Sequence, residues 1–435
     1  MPINENRKVA FITLGCKVNQ YETNAMTQKF IESGYEAVSH HEKADIYVVN
    51  TCTVTNMSDR KSRQMLRRVK DLNKNSILVA CGCYVQVAKD ELEKIEEIDI
   101  VLGNNEKNNI VEYVENYIKE NQKSIQIEDV MYQKEFVDFG DVTYTEKTRA
   151  VIKVQDGCDR FCSYCIIPYA RGRVRSRNPK NVISEIQKIA KEGIKEVVIT
   201  GIHVASYGKD FKKDYRLIDL LEEINRIEGI QRIRLGSIEP LLITEDFMER
   251  LIKLEKICHH FHLSLQSGCD ETLKRMNRRY TTKEFINIVN ILRKYYKDVI
   301  LTTDIIVGFP GETQEEFNKT YEFLKQIKFY KMHIFKYSPR KGTKAAQMKE
   351  QINGNVKEER SQKLIVLSDQ NEKEYNKEYI GQEIEVLFEE EKDGIYKGHT
   401  KNYILAYCKT SKNLENRIVK TKCKQTQKDH IVVEL

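Results

Sequence analysis

No apolar run in the 435 residues approaches the roughly 20 needed to cross a bilayer. The opening MPINENRKVA lacks the apolar core of a secretory signal. Both absences point to a cytoplasmic protein in a reducing compartment, with no membrane partner. In that setting its 11 cysteines read as metal ligands and buried thiols rather than disulfides. The chain shows no Ser/His/Asp triad and no Walker loop, so neither chemistry is expected. One cysteine group also lacks a fourth member: after Cys158, Cys162 and Cys165 the next cysteine is Cys258. A fully cysteine-ligated electron-transfer cluster wants four. Net charge is only +7, which by itself does not require a polyanionic partner.

What is present is an α/β chain of roughly three domains. VAFITLG (9–15), DIYVVN (45–50), SILVAC (76–81) and DIVLG (99–103) read as buried parallel strands separated by helices. That predicts a small doubly wound α/β domain, placed at 5–120. Residues 121–148 read as a polar linker. From about 150 the alternation restarts with AVIKVQ, EVVITG, RIRLGS, FHLSLQ, ILTTDIIVGF and KMHIFKY. Six βα units predict a partial (β/α)6 barrel over 144–373, with its active site at the C-terminal strand ends. Over 376–435, short alternating strands split by Gly, Asp-Gly and Asn turns predict a small β-barrel. Its stretch from Lys397 to Lys428 holds nine Lys/Arg and one acid, Glu415. Such a surface suits RNA phosphates, with Lys409, Lys420 and Lys422 as candidate contacts and Tyr396, Tyr403 and Tyr407 as candidate base-stacking rings.

Cys158, Cys162 and Cys165 stand in Cys-Asp-Arg-Phe-Cys-Ser-Tyr-Cys, directly after the first barrel strand. Three thiolates can hold three irons of a four-iron, four-sulfur cluster, leaving the fourth iron open to a small molecule. Zinc sites prefer four ligands and paired Cys-x-x-Cys. A second triplet comes from topology. Cys16, Cys52 and Cys83 each follow one of the first three strands, where neighbouring parallel strands bring their ends together. Cys81 competes with Cys83, and two residues apart on a strand they would point the same way. Cys83 is preferred because it lies nearer the loop and follows a glycine. Arg171, Arg173, Arg175 and Arg177 alternate, which in extended chain makes a basic stripe beside the site. Cys258, Cys269, Cys408 and Cys423 read as packing residues.

LGCKVNQYET (14–23), NTCTVT (50–55), GCYVQ (82–86), CDRFCSYCIIPYARGRVRSR (158–177), TGIHVASYG (200–208), LQSGCDETLKRMNRRYT (265–281) and DIIVGFPGET (304–313) together resemble the radical S-adenosylmethionine (SAM) methylthiotransferases. The final barrel resembles a TRAM domain. The resemblance implies two four-iron clusters, on Cys158/Cys162/Cys165 and on Cys16/Cys52/Cys83, with SAM as cofactor. It implies Tyr164, Thr200, Gly201, Ile306, Val307 and Gly308 as SAM contacts. It further implies an electron donor such as flavodoxin or ferredoxin. KVNQYE and ARGRVRSR resemble the branch that methylthiolates carbon 2 of N6-threonylcarbamoyladenosine beside the tRNA anticodon. On that reading the arginine stripe would pair with the threonylcarbamoyl carboxylate. The alternatives are isopentenyladenosine in tRNA, a ribosomal-protein aspartate, or a non-catalytic iron–sulfur RNA-binding protein.

Overall fold

The computed structural model describes residues 7–92, 94–145 and 148–435. The N-terminal sheet holds β1 (Lys8–Thr13), β2 (Glu36–Val38), β3 (Ile46–Thr51), β4 (Ile77–Gly82), β5 (Ile100–Leu102) and β6 (Ser124–Gln126). All pairings are parallel, in the order β2-β1-β3-β4-β5-β6. Alternate residues of one strand serve opposite cores. Tyr47 and Val49 pack with Leu66 and Leu78, while Ile46 and Val48 pack with Met26 and Phe30. That two-sided burial is why the strands read as unbroken apolar runs. Winding reverses between β1 and β3, and a doubly wound sheet opens its crevice at that reversal. Cys16 and Cys52 follow those two strands.

The stretch read as a linker is packed instead. It adds β6 to the sheet edge, buries Val130 and Val142, and sets Asp138 2.9 Å from Arg177. Its residues 146 and 147 lie outside the described ones.

The central unit holds β7 (Arg149–Asp156), β8 (Arg175–Ser176), β9 (Glu196–Gly201), β10 (Arg232–Leu235), β11 (Ser237–Ile238), β12 (His260–Gln266), β13 (Ile300–Val307) and β14 (Lys331–Lys336). It forms two four-stranded sheets, β10-β9-β7-β8 and β11-β12-β13-β14. The third barrel strand straddles them: β10 pairs with β9, and past Gly236 β11 pairs with β12. The wall is thus a partial barrel of six βα units, with the hairpin-like β8 antiparallel to β7. The helix Gly354–Glu378 covers β14, through Ser368 to the Met332 amide (2.9 Å) and Glu372 to Lys331 (2.8 Å). No described helix is long and apolar enough to cross a membrane.

β15 (Glu383–Lys392), β16 (Ile395–Thr400), β17 (Leu405–Lys409), β18 (Ile418–Gln427) and β19 (His430–Glu434) close into the order β15-β16-β17-β19-β18. This small barrel caps the N-terminal end of the central one. The first residues of β7, β9, β10 and β12 all take part. Arg149 pairs with Glu389 at 3.0 Å, and Arg232 donates to the His399 and Glu385 carbonyls. Glu196 anchors Arg234, which reaches the Lys401 carbonyl. Tyr403 is the plug. Its ring stacks between His260 (4.8 Å) and His399 (4.6 Å), with the guanidinium of Arg234 4.6 Å from its centroid. It holds a left-handed backbone, φ 76°, a strain that tertiary contacts must sustain. Two of the three candidate stacking tyrosines are therefore occupied. Tyr403 fills the floor and Tyr396 lies in the small barrel's core, 8% exposed. Tyr403→Ala removes the stack and two cation–π contacts, and should cost about 2–4 kcal/mol. The midpoint of urea unfolding, at unchanged slope, reads that loss.

Candidate active site

Cys158, Cys162 and Cys165 occupy the loop between β7 and the short helix Ile167–Arg171. The Cys165 amide donates to the Cys162 carbonyl at 2.9 Å, which turns the loop and gathers the sulfurs. The Arg160 amide donates to Cys158 Sγ (3.4 Å) and Arg278 Nη1 to Cys162 Sγ (3.4 Å). Burial pushes the Cys158 thiol up to about 11 and the Cys165 thiol to about 12. Such thiols are inert alone and become thiolates when a metal takes the proton's place. N–H donors aimed at sulfur are what cluster thiolates require. The donor set fits a cluster.

Cys16 begins the helix Lys17–Glu32, Cys52 follows β3, and Cys83 begins the helix Cys83–Val87. Gly15, at φ +105°, lets the first loop close in: a Cβ there would lie 2.8 Å from Cys52 Sγ. Gly82, at φ +100°, ends β4, and a Cβ there would meet the Thr51 carbonyl at 2.5 Å. That turn separates the two competing cysteines, which do not point the same way. Cys81 joins the apolar core with Val9, Met26 and Val79. Cys83 instead receives Arg171 Nε at 3.1 Å and Asn104 Nδ2 at 3.9 Å. Burial raises the Cys52 thiol to about 11, with Cys83 and Cys16 adding to it. This triplet too has the chemistry of a metal site.

Between the triplets lies a buried ion cluster that the sequence did not reveal. The Glu22 carboxylate holds both guanidinium amines of Arg171, Lys107 Nζ at 2.5 Å and Lys153 Nζ at 2.7 Å. Asp156 takes Lys153 at 2.6 Å, Arg171 at 3.3 Å and Arg175 at 3.9 Å. Burial opposes the Glu22 charge, but Arg171, Lys107 and Lys153 prevail and hold it well below the usual carboxylate range. Burial likewise opposes Asp156, which Lys153, Arg171 and Arg175 bring to about 2. Four cations face two carboxylates. The excess positive charge borders Cys83 through Arg171.

The arginine stripe is overturned by the same contacts. Arg171 is helical, and Arg171, Arg175 and Arg177 are 0%, 1% and 0% exposed. Arg177 binds Asp138 and Glu185, at 2.9 Å each. Three of the four are thus withdrawn from any RNA surface, because each neutralises buried carboxylates. Only Arg173 is exposed, loosely paired with Asp159. Lys409, Lys420 and Lys422 are exposed on the small barrel.

A cavity of about 870 Å³ joins these parts. Cys16, Lys17 and Val54 border it on one side, Cys158, Cys162 and Cys165 on another. Tyr164, Thr200 and Gly201 also line it. Ile306, Val307 and Gly308 do not. Ile306 packs beside Tyr164 around Phe309, Val307 is in the main core, and the Gly308 amide is taken by Glu312 at 2.6 Å. None of the three borders the cavity: alternation along β13 turns Val307 into the core, Ile306 is taken up by the Phe309 cluster, and Glu312 holds the Gly308 amide. Sequence reading missed Glu239, which binds Arg278 at 3.0 Å and His203 at 3.5 Å, and it missed His260, His262, Asp304 and His333. A signal existed. His260, His262, Ser264 and Gln266 alternate along a strand whose other residues are apolar, which marks a polar interior face.

The radical SAM superfamily matches residues 152–324, and "Uncharacterized protein family UPF0004" matches 8–103. The threonylcarbamoyladenosine tRNA methylthiotransferase MtaB of Bacillus subtilis is 44% identical over 95% of this chain and 93% of its own. A tRNA-2-methylthio-N(6)-dimethylallyladenosine synthase of Clostridium tetani is 35% identical over 89% and 87%. The chain belongs to the radical SAM methylthiotransferase family. A radical SAM methyltransferase from Kitasatospora setae, TsrM, covers 76% of this methylthiotransferase with a TM-score of 0.57 at 16% identity, and so shares its fold. As a radical SAM enzyme it uses a four-iron cluster and SAM.

In this methylthiotransferase Glu22→Gln should cost about 3–5 kcal/mol, since it strands buried cations. The pH dependence has a definite sign. Depressed carboxyls stabilise above their unfolded values and lose that as pH falls through the folded ones. For Asp156 that window runs from 3.8 down to about 2. Wild-type stability should fall on acidification, and the variant's should fall less, as read by urea midpoints across that range.

Proposed function

We propose that this methylthiotransferase modifies carbon 2 of N6-threonylcarbamoyladenosine beside the anticodon of tRNA, using two four-iron clusters and SAM. The observation that carries the reading is one cavity bordered by Cys158, Cys162 and Cys165 and, from the second triplet, by Cys16. Cys158, Cys162 and Cys165 would hold one cluster, and Cys16, Cys52 and Cys83 the other. When bound, these groups and SAM supply one-electron cleavage and the sulfur and methyl that are transferred.

The chain's own residues position and enclose. Thr200 and Gly201 end β9 at the cavity wall and offer backbone groups to the methionyl end of SAM. Tyr164, with Ile306 behind it, offers an apolar wall to the adenine. Arg278 spans Cys162 Sγ, Glu239 and the Ser264 carbonyl (2.8 Å), which locks the cysteine loop against β12. Buried walls keep water from a reactive centre.

The RNA reading rests on charge and access. Lys409, Lys420 and Lys422 are exposed to phosphates, and Arg173 lies beside the cysteine loop. The cavity's border runs on to Leu405 and Asp429 of the small barrel. An RNA held there can present an unstacked loop base to the cavity, which a base inside an A-form helix cannot do. Flavodoxin or ferredoxin would supply electrons in the cytoplasm. The threonylcarbamoyl substrate is favoured over a dimethylallyl one by the greater identity to the Bacillus relative.

The test is nucleoside mass spectrometry after anaerobic reaction with tRNA carrying or lacking the threonylcarbamoyl group. Methylthio product should appear only with it. Product on dimethylallyl tRNA alone, or on a ribosomal protein alone, would overturn the substrate. Reconstituted enzyme should hold about eight irons, and about four once Cys158, Cys162 and Cys165 are all alanine. Cys52→Ala should abolish product while SAM cleavage continues. Cys83→Ala should behave like Cys52→Ala, and Cys81→Ala should keep product.

A further inference from the structure

The floor of the cavity is built from polar residues that the chemistry above does not use. β12, β13 and β14 send in His262, Asp304 and His333, whose donor atoms lie within 4.8 Å of one another. His262 Nε2 stands 3.1 Å from Asp304 Oδ2, and its Nδ1 3.0 Å from Thr302 Oγ1. Thr302 Oγ1 also meets His260 Nε2 at 2.9 Å. His260 is 6% exposed, and its Nδ1 is buried with no partner. These rings are held in place, and hydrogen-bonding capacity is left over.

The charges on the cavity wall are nearly all paired. Arg160 and Arg278 share Glu239, and Lys331 is held by Glu372 at 2.8 Å. Asp304 faces His262. Lys17 is different: it lines the cavity and has no carboxylate partner among the described residues. It lies within electrostatic reach of Tyr403, of Arg234 and Arg149 under the floor, of Glu196 that pairs with Arg234, and of His260 and His333. Arg171, not Lys17, stands on the Cys83 sulfur. Lys17 is accessible from the cavity and has no ion pair there among the described residues, so a ligand anion can take it as a partner.

We infer that Lys17, His262, Asp304 and His333 form a subsite for the carboxylate and hydroxyl of the threonylcarbamoyl substituent. Lys17 pairs with the carboxylate, His333 adds a donor, and Asp304 accepts from the hydroxyl. The inference rests on the substrate proposed above. Two imidazoles and a carboxylate also match a divalent-cation ligand set, but the surroundings oppose one. A dication would sit beside the Lys17 cation with one carboxylate in contact, since Arg149 and Arg234 below already use Glu389 and Glu196. The same charge discriminates among substrates, because a dimethylallyl group would leave Lys17 facing hydrocarbon.

The test is equilibrium binding of cluster-loaded enzyme to anticodon stem-loops bearing threonylcarbamoyladenosine, dimethylallyladenosine or plain adenosine. Lys17→Met should lower the ratio of threonylcarbamoyl to plain affinity about 10- to 100-fold, as for a lost charge-assisted hydrogen bond. Asp304→Asn and His333→Gln should lower it about 3- to 10-fold. These two carry the test if Lys17→Met fails to load iron beside Cys16. An unchanged ratio in the loaded variants overturns the subsite. So does uptake of zinc by wild type that Asp304→Asn abolishes while the ratio stays unchanged. Wild type that binds and modifies only the dimethylallyl RNA overturns the substrate reading instead.

Discussion

The Glu22 carboxylate, fully buried and gripped by three cations, is the constraint on which the rest depends. It and its three partners come from four places. Glu22 is on the helix that Cys16 begins, Lys153 is on β7, Arg171 ends the helix after Cys165, and Lys107 follows β5. One side chain thus fixes the N-terminal sheet against the central barrel, and with it the distance between the triplets. Buried ion pairs contribute little net stability against an apolar alternative, because desolvation offsets their attraction. Their value here is geometric. An apolar contact tolerates sliding, whereas a carboxylate shared by three donors accepts one arrangement.

The opposite end of the barrel is closed by a different interaction. Tyr403 wedges between two imidazoles while Arg232 and Arg234 reach carbonyls of the small barrel. A partial barrel leaves its interior open at both ends, and the cavity must be shut at one to exclude water. The small barrel therefore has two faces with separate duties. One supplies the floor, which uses Tyr403, and the other carries the exposed lysines.

The parallel N-terminal sheet and the barrel were legible because both rest on local pattern. Buried parallel strands give apolar runs such as IYVVN, and the six βα units repeat them. The candidate metal ligands were legible for a related reason: a triplet at close spacing, and three cysteines at equivalent strand ends, need no tertiary information beyond topology. The arginine stripe failed because alternation in sequence says nothing of what lies opposite. Arg171 and Arg177 meet Glu22 and Glu185, 149 and 8 residues away. Cys81 and Cys83 were misjudged as parallel because Gly82 turns between them, and a glycine's dihedral is not written in its neighbours. The polar face of β12 was written plainly, as alternating His, His, Ser and Gln.

The buried charge count links metal to fold. Lys107, Lys153, Arg171 and Arg175 outnumber Glu22 and Asp156, and the surplus borders Cys83. With thiols protonated, that surplus is uncompensated in a low-dielectric interior and opposes docking of the two domains. Thiolates holding a metal carry the missing negative charge, so ligand deprotonation and domain docking favour each other. The linkage is reciprocal. A change that loosens the Glu22 cluster would weaken retention of a metal on that triplet, and loss of the metal would loosen the cluster. Raised cysteine pKa values and excess buried cations are each unfavourable in the free chain. A metal on Cys16, Cys52 and Cys83 would relieve both at once.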